Sequence, residues 1–246
     1  MISKKLLITL LALFGLGLKA QVGLNCQFVP GLQLGAVTVK SDNSKIGEYK
    51  AAAGLPVFML DRLKNKWYAQ LDMNGLYYSV TQYNKSQRSK GDSTKYAKTE
   101  GGLCAGRIGY GFGKSETMRV GPNLNIGYMM SNINGNKRSF EGMPMYWNFG
   151  GGVFFYQKIG TKIRAMAKVG YEKYSNKKAS SDIATLKGSG TYFEATVAYN
   201  IYQKYGVAVM PALYSKKFTY NYNGETTETK TKVKSVVLRI GFTKFF

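Results

Sequence analysis

The sequence predicts an all-β fold: a closed, antiparallel, up-and-down transmembrane β-barrel, with ten strands preferred and eight as the alternative. Three observations lead there. Polar and apolar residues alternate along segments of roughly 13 to 16 residues, the period of a strand with two unlike faces. The connections between segments are alternately short and long. Aromatic residues make up 14% of the chain, 19 of them tyrosine, and many lie near the proposed strand ends.

The first residues form a separate element. Lys4 and Lys5 precede an apolar run from Leu6 to Leu18, and Ala20 supplies a small residue for cleavage. This is the layout of a secretory signal peptide, too short for a spanning helix. The expectation is a signal over 1–20, export through the Sec pathway, and a single barrel domain over 21–246.

From Phe28 onwards ten segments follow: 28–40, 47–60, 67–82, 98–113, 117–131, 144–157, 162–174, 188–201, 205–218 and 231–246. Trp67, Ala69 and Leu71 oppose Tyr68, Gln70 and Asp72. Met118, Val120, Pro122, Leu124 and Ile126 oppose Arg119, Gly121, Asn123 and Asn125. Ala165, Ala167, Val169 and Tyr171 oppose Arg164, Lys168 and Glu172, while Phe193, Val197 and Tyr199 oppose Glu194 and Thr196. The last segment, SVVLRIGFTKFF, sets Val236, Leu238, Ile240 and Phe242 against Arg239. A charge inside a strand needs water or a partner on its own side, so one face is polar and the other suits lipid.

Length decides between a soluble sandwich and a membrane barrel. A bilayer-facing strand needs about 9–11 residues, whereas soluble strands average about five or six. The connections DRLKNK, KSE, KIGT and YQK are short, and those at 83–97, 132–143, 175–187 and 219–230 are longer and polar. Only the gap at 41–46 is shorter than this alternation expects. Short turns at one end and long loops at the other form the outer-membrane pattern. Hydrocarbon tolerates no unpaired backbone N–H, so the last strand must pair with the first.

The aromatic residues near strand ends include Trp67, Tyr68, Tyr110, Tyr128, Tyr146, Trp147, Tyr156, Tyr171, Tyr174, Tyr202, Tyr205, Phe218 and Tyr220. They are expected to form girdles at the two membrane–water interfaces.

The polar faces place nine charges in the lumen: Asp72, Arg107, Arg119, Lys162, Arg164, Lys168, Glu172, Glu194 and Arg239. Side chains fill the interior of an eight-stranded barrel, and wide aqueous channels need around sixteen strands. A salt-bridged, hydrated interior is therefore expected, with a narrow anion-preferring pore as the alternative. The proposed loops and strand tops are lysine-rich. Lys85, Arg88, Lys90, Lys95 and Lys98 are candidates for contact with anionic lipid, and Lys173, Lys216, Lys217, Lys230 and Lys232 belong to the same basic end. Export argues against nucleic acid as the partner of a chain with net charge +22.

Histidine is absent, which removes His-dependent general-base catalysis and the commonest metal ligand. The two cysteines, Cys26 and Cys104, fall short of a structural zinc set. No catalytic, cofactor-binding or metal-binding residues are expected. GFG at 111–113 and GGG at 150–152 lie in strands with no following helix to hold a phosphate, and are expected to ease bending and close packing.

The KAQ at 19–21, the alternating glycine-rich strands and the aromatic C-terminal residue resemble small outer-membrane barrels of the Bacteroidota, in the porin-like group that includes PorT-type proteins. The resemblance is one of pattern over essentially the whole mature chain. It implies outer-membrane localisation, neighbouring lipids including lipopolysaccharide, and association with other envelope proteins. It also implies recognition by the barrel-assembly machinery, for which Leu238, Ile240, Phe242 and Phe246 match the alternating, aromatic-ended signal. Barrel enzymes of the outer membrane rely on histidine, so the implied role is non-enzymatic: structural, interactive, or accessory to secretion or uptake.

Overall fold

The computed structural model describes residues 25–28, 31–41, 44–50, 58–64, 66–81, 95–113, 117–131, 144–177 and 183–245. The proposed signal at 1–20 and Phe246 lie outside them. Among the described residues the secondary structure is all β: β1 (Asn25–Phe28), β2 (Gly31–Ser41), β3 (Ser44–Lys50), β4 (Phe58–Lys64), β5 (Trp67–Thr81), β6 (Lys95–Tyr110), β7 (Met118–Ser131), β8 (Met145–Ile159), β9 (Ile163–Asn176), β10 (Ile183–Tyr202), β11 (Tyr205–Tyr222) and β12 (Thr229–Phe245).

From β4 to β12 each strand pairs antiparallel with the next. β12 then pairs with both β1 and β2, and β1 pairs with β4, so the order of pairing returns to its start. β1 and β2 meet β12 on one unbroken register, with Phe28 opposite Lys244 and Gly31 opposite Gly241. β3 pairs with β2 while β4 pairs with β1, so these two also share one place in the ring. Among the described residues the twelve segments thus form ten staves, of which the eight from β5 to β12 are uninterrupted. Those eight have 14 to 20 residues each, enough to cross a bilayer with strand to spare.

The connections sort into two ends. The ends of β4 and β5, β6 and β7, β8 and β9, and β10 and β11 adjoin at one, here the turn end. The ends of β2 and β3, β5 and β6, β7 and β8, β9 and β10, and β11 and β12 adjoin at the other, the loop end. Several boundaries differ from expectation. β6 ends at Tyr110, so GFG at 111–113 follows the strand instead of lying in one, and β11 runs four residues past the expected 218. DRLK, read as the start of a turn, belongs to β4, where Asp61 stands opposite Gln70. β10 begins five residues before the expected 188. A bulge between Ile183 and Thr185 puts Ile183 and Leu186 on one face and breaks the alternation that would have revealed them.

The wall is inside-out relative to a soluble protein. Leu124, Ile126, Phe149, Val153, Val169, Phe193, Val197, Leu213, Val236, Ile240 and Phe242 are exposed, while Asn123, Asn125, Lys168, Glu172, Glu194, Thr196 and Arg239 are buried. Soluble proteins almost never bury lysine and glutamate while exposing an apolar surface of this extent.

The girdle expectation needs correction. Trp67, Trp147, Tyr171, Tyr202 and Tyr205 are exposed, but Tyr68, Tyr146, Tyr156, Tyr174, Phe218 and Tyr220 are buried in the interior. The buried rings take the same parity as the lumen charges, and they form two clusters. Tyr146, Tyr174, Phe218 and Tyr220 pack with Ile183, Leu186 and Val233 at the loop end. Tyr68, Phe154, Tyr156 and Met166 pack at the turn end.

Candidate functional site

Between those clusters the lumen holds a polar belt centred on Glu194 of β10. Its sequence origin is simple: each member sits at an inward parity position, and antiparallel register sets neighbours side by side. Glu194 stands opposite Lys168 of β9, and Arg107 of β6 stands between Gln70 of β5 and Asn125 of β7.

The ring then brings distant strands together. Arg107 donates from both terminal nitrogens to the Glu194 carboxylate, at 2.8 and 2.7 Å, although β6 and β10 are not neighbours. This two-pronged geometry is the strongest that a guanidinium and a carboxylate can form. Lys168 Nζ lies 3.0 Å from the same carboxylate and also donates to Gln70 of β5, across the lumen. The Tyr214 hydroxyl of β11 donates to Glu194 at 2.8 Å and accepts from Arg239 of β12 at 3.3 Å. Arg107 stacks over the Tyr192 ring at 5.2 Å, and the Tyr192 hydroxyl donates to Asn123 of β7 at 3.0 Å. A second carboxylate, Glu172, accepts from Asn125 at 2.5 Å and from Tyr174 at 3.2 Å.

Glycines leave room for the rings that cross this space. A methyl group on Gly170 would sit 2.5 Å from the Tyr192 hydroxyl, and one on Gly109 would sit 2.8 Å from the Phe154 ring.

Six of the nine sequence-proposed lumen charges are buried: Arg107, Arg119, Lys168, Glu172, Glu194 and Arg239. Five of them belong to the belt or its Glu172 extension. Arg119 is apart from it, at the turn end, donating to the Gly113 and Met118 carbonyls at 3.2 and 3.1 Å. Arg164 is half-buried near the same end. Lys162 is not a lumen residue. It is exposed in the turn 160–162, which Gly160 opens with a φ of +58°. Asp72 stands opposite Met59 and Ala105, and its side chain lies outside the described residues.

Lys216 corrects in the other direction. Read as a strand-top lysine, it is buried on the parity of Phe218 and Tyr220, with Nζ 5.4 Å from the Tyr214 ring centre. Parity counted through β11 to Tyr220 would have found it, as it would have found Tyr214. Of the lipid-contact candidates, Lys85, Arg88 and Lys90 and the side chains of Lys95 and Lys98 lie outside the described residues. Of the assembly-signal candidates, Leu238, Ile240 and Phe242 are exposed on the outer wall.

A ring of antiparallel strands with an apolar exterior and a paired polar interior is a membrane-spanning β-barrel. No family model matches the chain, and no curated protein matches it. Solved structures of similar outline include the outer membrane protease OmpT from Escherichia coli, at 9% identity, 91% of this chain and 96% of that one, with a TM-score of 0.45. The outer membrane protein OprG from Pseudomonas aeruginosa is similar at 12% identity, 92% and 96% coverage, and a TM-score of 0.39. The toluene transporter TodX from Pseudomonas putida gives 11%, 92% and 91%, and 0.32. Likeness at this level assigns no activity to this chain.

Proposed function

We propose that this chain is a non-enzymatic barrel of a bacterial outer membrane. Its role is structural, interactive, or accessory to a secretion or uptake assembly. The observation that carries the reading is the convergence of Arg107, Lys168 and Tyr214, from three different strands, on the single carboxylate of Glu194. Aromatic clusters lie on either side of that belt. Side chains that bond across a lumen hold it shut, and a filled barrel serves as a scaffold or a surface better than as a conduit. Among the described residues both buried carboxylates are engaged by donors, and the chain has no histidine, which supports a role without catalysis.

The rest of the reading follows from the sequence. Residues 1–20 direct export, the loop end faces outward as in barrels with short periplasmic turns, and the surroundings are outer-membrane lipids including lipopolysaccharide. By its resemblance, the chain groups with the PorT-type barrels of the Bacteroidota, and the barrel-assembly machinery reads Leu238, Ile240, Phe242 and Phe246.

Planar-bilayer recording on refolded protein tests the central point. No conductance steps are expected from the unsubstituted chain, whereas Tyr192→Ala combined with Phe154→Ala should produce them. Steady openings in the unsubstituted protein would overturn the closed reading in favour of the narrow porin. Among the described residues, the buried excess of Arg107, Arg119, Lys168, Lys216 and Arg239 over Glu172 and Glu194 would make such a pore anion-preferring. Migration on gels with and without boiling tests the fold, and identical migration would count against a barrel.

A further inference from the structure

The outward face of β9–β12 changes character toward the loop end. Its apolar part carries Tyr171, Phe193, Leu213 and Val236, all exposed. Directly beyond lie lysines and hydroxyls in register. Ser189 of β10 stands opposite both Lys173 of β9 and Lys217 of β11, and Lys217 stands opposite Lys232 of β12. In the next row Thr219 stands opposite both Lys187 and Lys230. Lys234, opposite Ser215, borders Val236.

Six lysines therefore share a patch three strand spacings wide, about 14 Å. Among the described residues, the outward face of β9–β12 carries no carboxylate. Lys173, Lys187, Lys217, Lys232 and Lys234 make no ion pair among the described residues. Glu225 and Glu228 lie in the connection 223–228.

Like charges directly opposite each other on a sheet are unfavourable, so the Lys217–Lys232 pair favours an anion that the described residues do not supply. Lysine is a strong phosphate binder, and the interleaved Ser189, Ser215 and Thr219 hydroxyls add donors. A ligand that reaches the lysines from the bilayer also lies along Val236, Leu213 and Tyr171.

We propose that this face binds a phosphorylated lipid of the surrounding leaflet. The phosphate rests among Lys173, Lys217, Lys232 and Lys234, and the acyl chains lie on the apolar wall below. The proposal rests on the membrane-barrel reading above and adds to it a partner and a place.

The chain has two tryptophans, Trp67 at the turn end and Trp147 at the loop end. Trp147 is exposed and stands opposite Ser175, two residues along β9 from Lys173. Trp67→Phe leaves Trp147 as a local reporter in phosphatidylcholine vesicles doped with acyl-brominated lipid. Brominated phosphatidic acid should quench Trp147 more strongly than brominated phosphatidylcholine. That preference should weaken with added salt and be lost in the K173Q/K217Q/K232Q/K234Q variant. A control variant at the turn end, K158Q/K162Q/K204Q, should keep it.

Equal quenching by the two lipids in the unsubstituted background would overturn the proposal and leave the lysines to an acidic protein partner. A preference that survives the four substitutions would overturn it as well. Insertion is read separately, by heat-modifiable migration of the same samples. A chain that never inserts sinks the barrel reading, whereas an inserted chain without lipid preference sinks only this inference.

Discussion

Phe154 and Phe155 are neighbours on β8 with the same side chain and opposite surroundings. Phe154 is fully buried, 5.0 Å from the Tyr68 ring centre, while Phe155 is 37% exposed on the outer wall. On β12, Arg239 is 6% exposed, and its neighbours Leu238 and Ile240 are 36% and 45% exposed. In a soluble protein the hydrophobic effect would drive this pattern the other way. Here the outer wall needs only to be apolar, because lipid is fluid and accommodates its shape. The lumen must satisfy each buried charge by name. One face is tolerant of shape and intolerant of charge, and the other is the reverse.

The largest expected effect breaks the lumen side. Glu194→Ala removes the acceptor shared by Arg107, Lys168 and Tyr214. Removing one partner of a buried pair typically costs about 3–5 kcal/mol, and the urea midpoint of folded, vesicle-embedded protein should fall accordingly. Tyr214→Phe, which keeps the carboxylate and its cations, should lose less, about 1.5–3 kcal/mol for a hydrogen bond to a charged group.

A charge added to the outer wall breaks the other side. Val209→Arg faces lipid opposite Ile240, well below the basic rows, and an arginine near the bilayer midplane of a barrel costs about 2–4 kcal/mol, less toward the interfaces. Val236→Arg lies two residues from Lys234, at the edge of the basic rows, and should cost less than Val209→Arg. Equal losses at the two positions would mean that the apolar-to-basic boundary is not where the register puts it.

How much of this was legible in the sequence follows from which signals are local. The faces of β7, β9 and β12 could be read because side chains alternate with a period of two. The start of β10 could not, since its bulge shifts the parity of Ile183 relative to Leu186. Residue type also misled. Tyr146, Tyr174 and Tyr220 look like interface aromatics, and Lys216 looks like a loop lysine, until parity is counted through each strand to its end. The Arg107–Glu194 pair was legible only as two separate inward charges. Their meeting depends on closure and stagger of the ring, which bring β6 and β10 face to face and which no stretch of sequence encodes alone.

The smallest predicted effect is the most direct test of the contrast between lumen and wall. Phe154→Leu and Phe155→Leu are the same chemical change made one residue apart. Inside, the leucine leaves space beside Tyr68 and the glycine at 109 that neighbouring rings fill only in part, and such cavities typically cost about 1–3 kcal/mol. Outside, lipid chains occupy the vacated volume at once, so no cavity persists, and the change should stay within about 0.5 kcal/mol. Urea midpoints of the two variants in the same vesicles measure the difference. Equal losses would mean that the outer wall is packed against something as ordered as protein, and the fluid-lipid account of that face would fail.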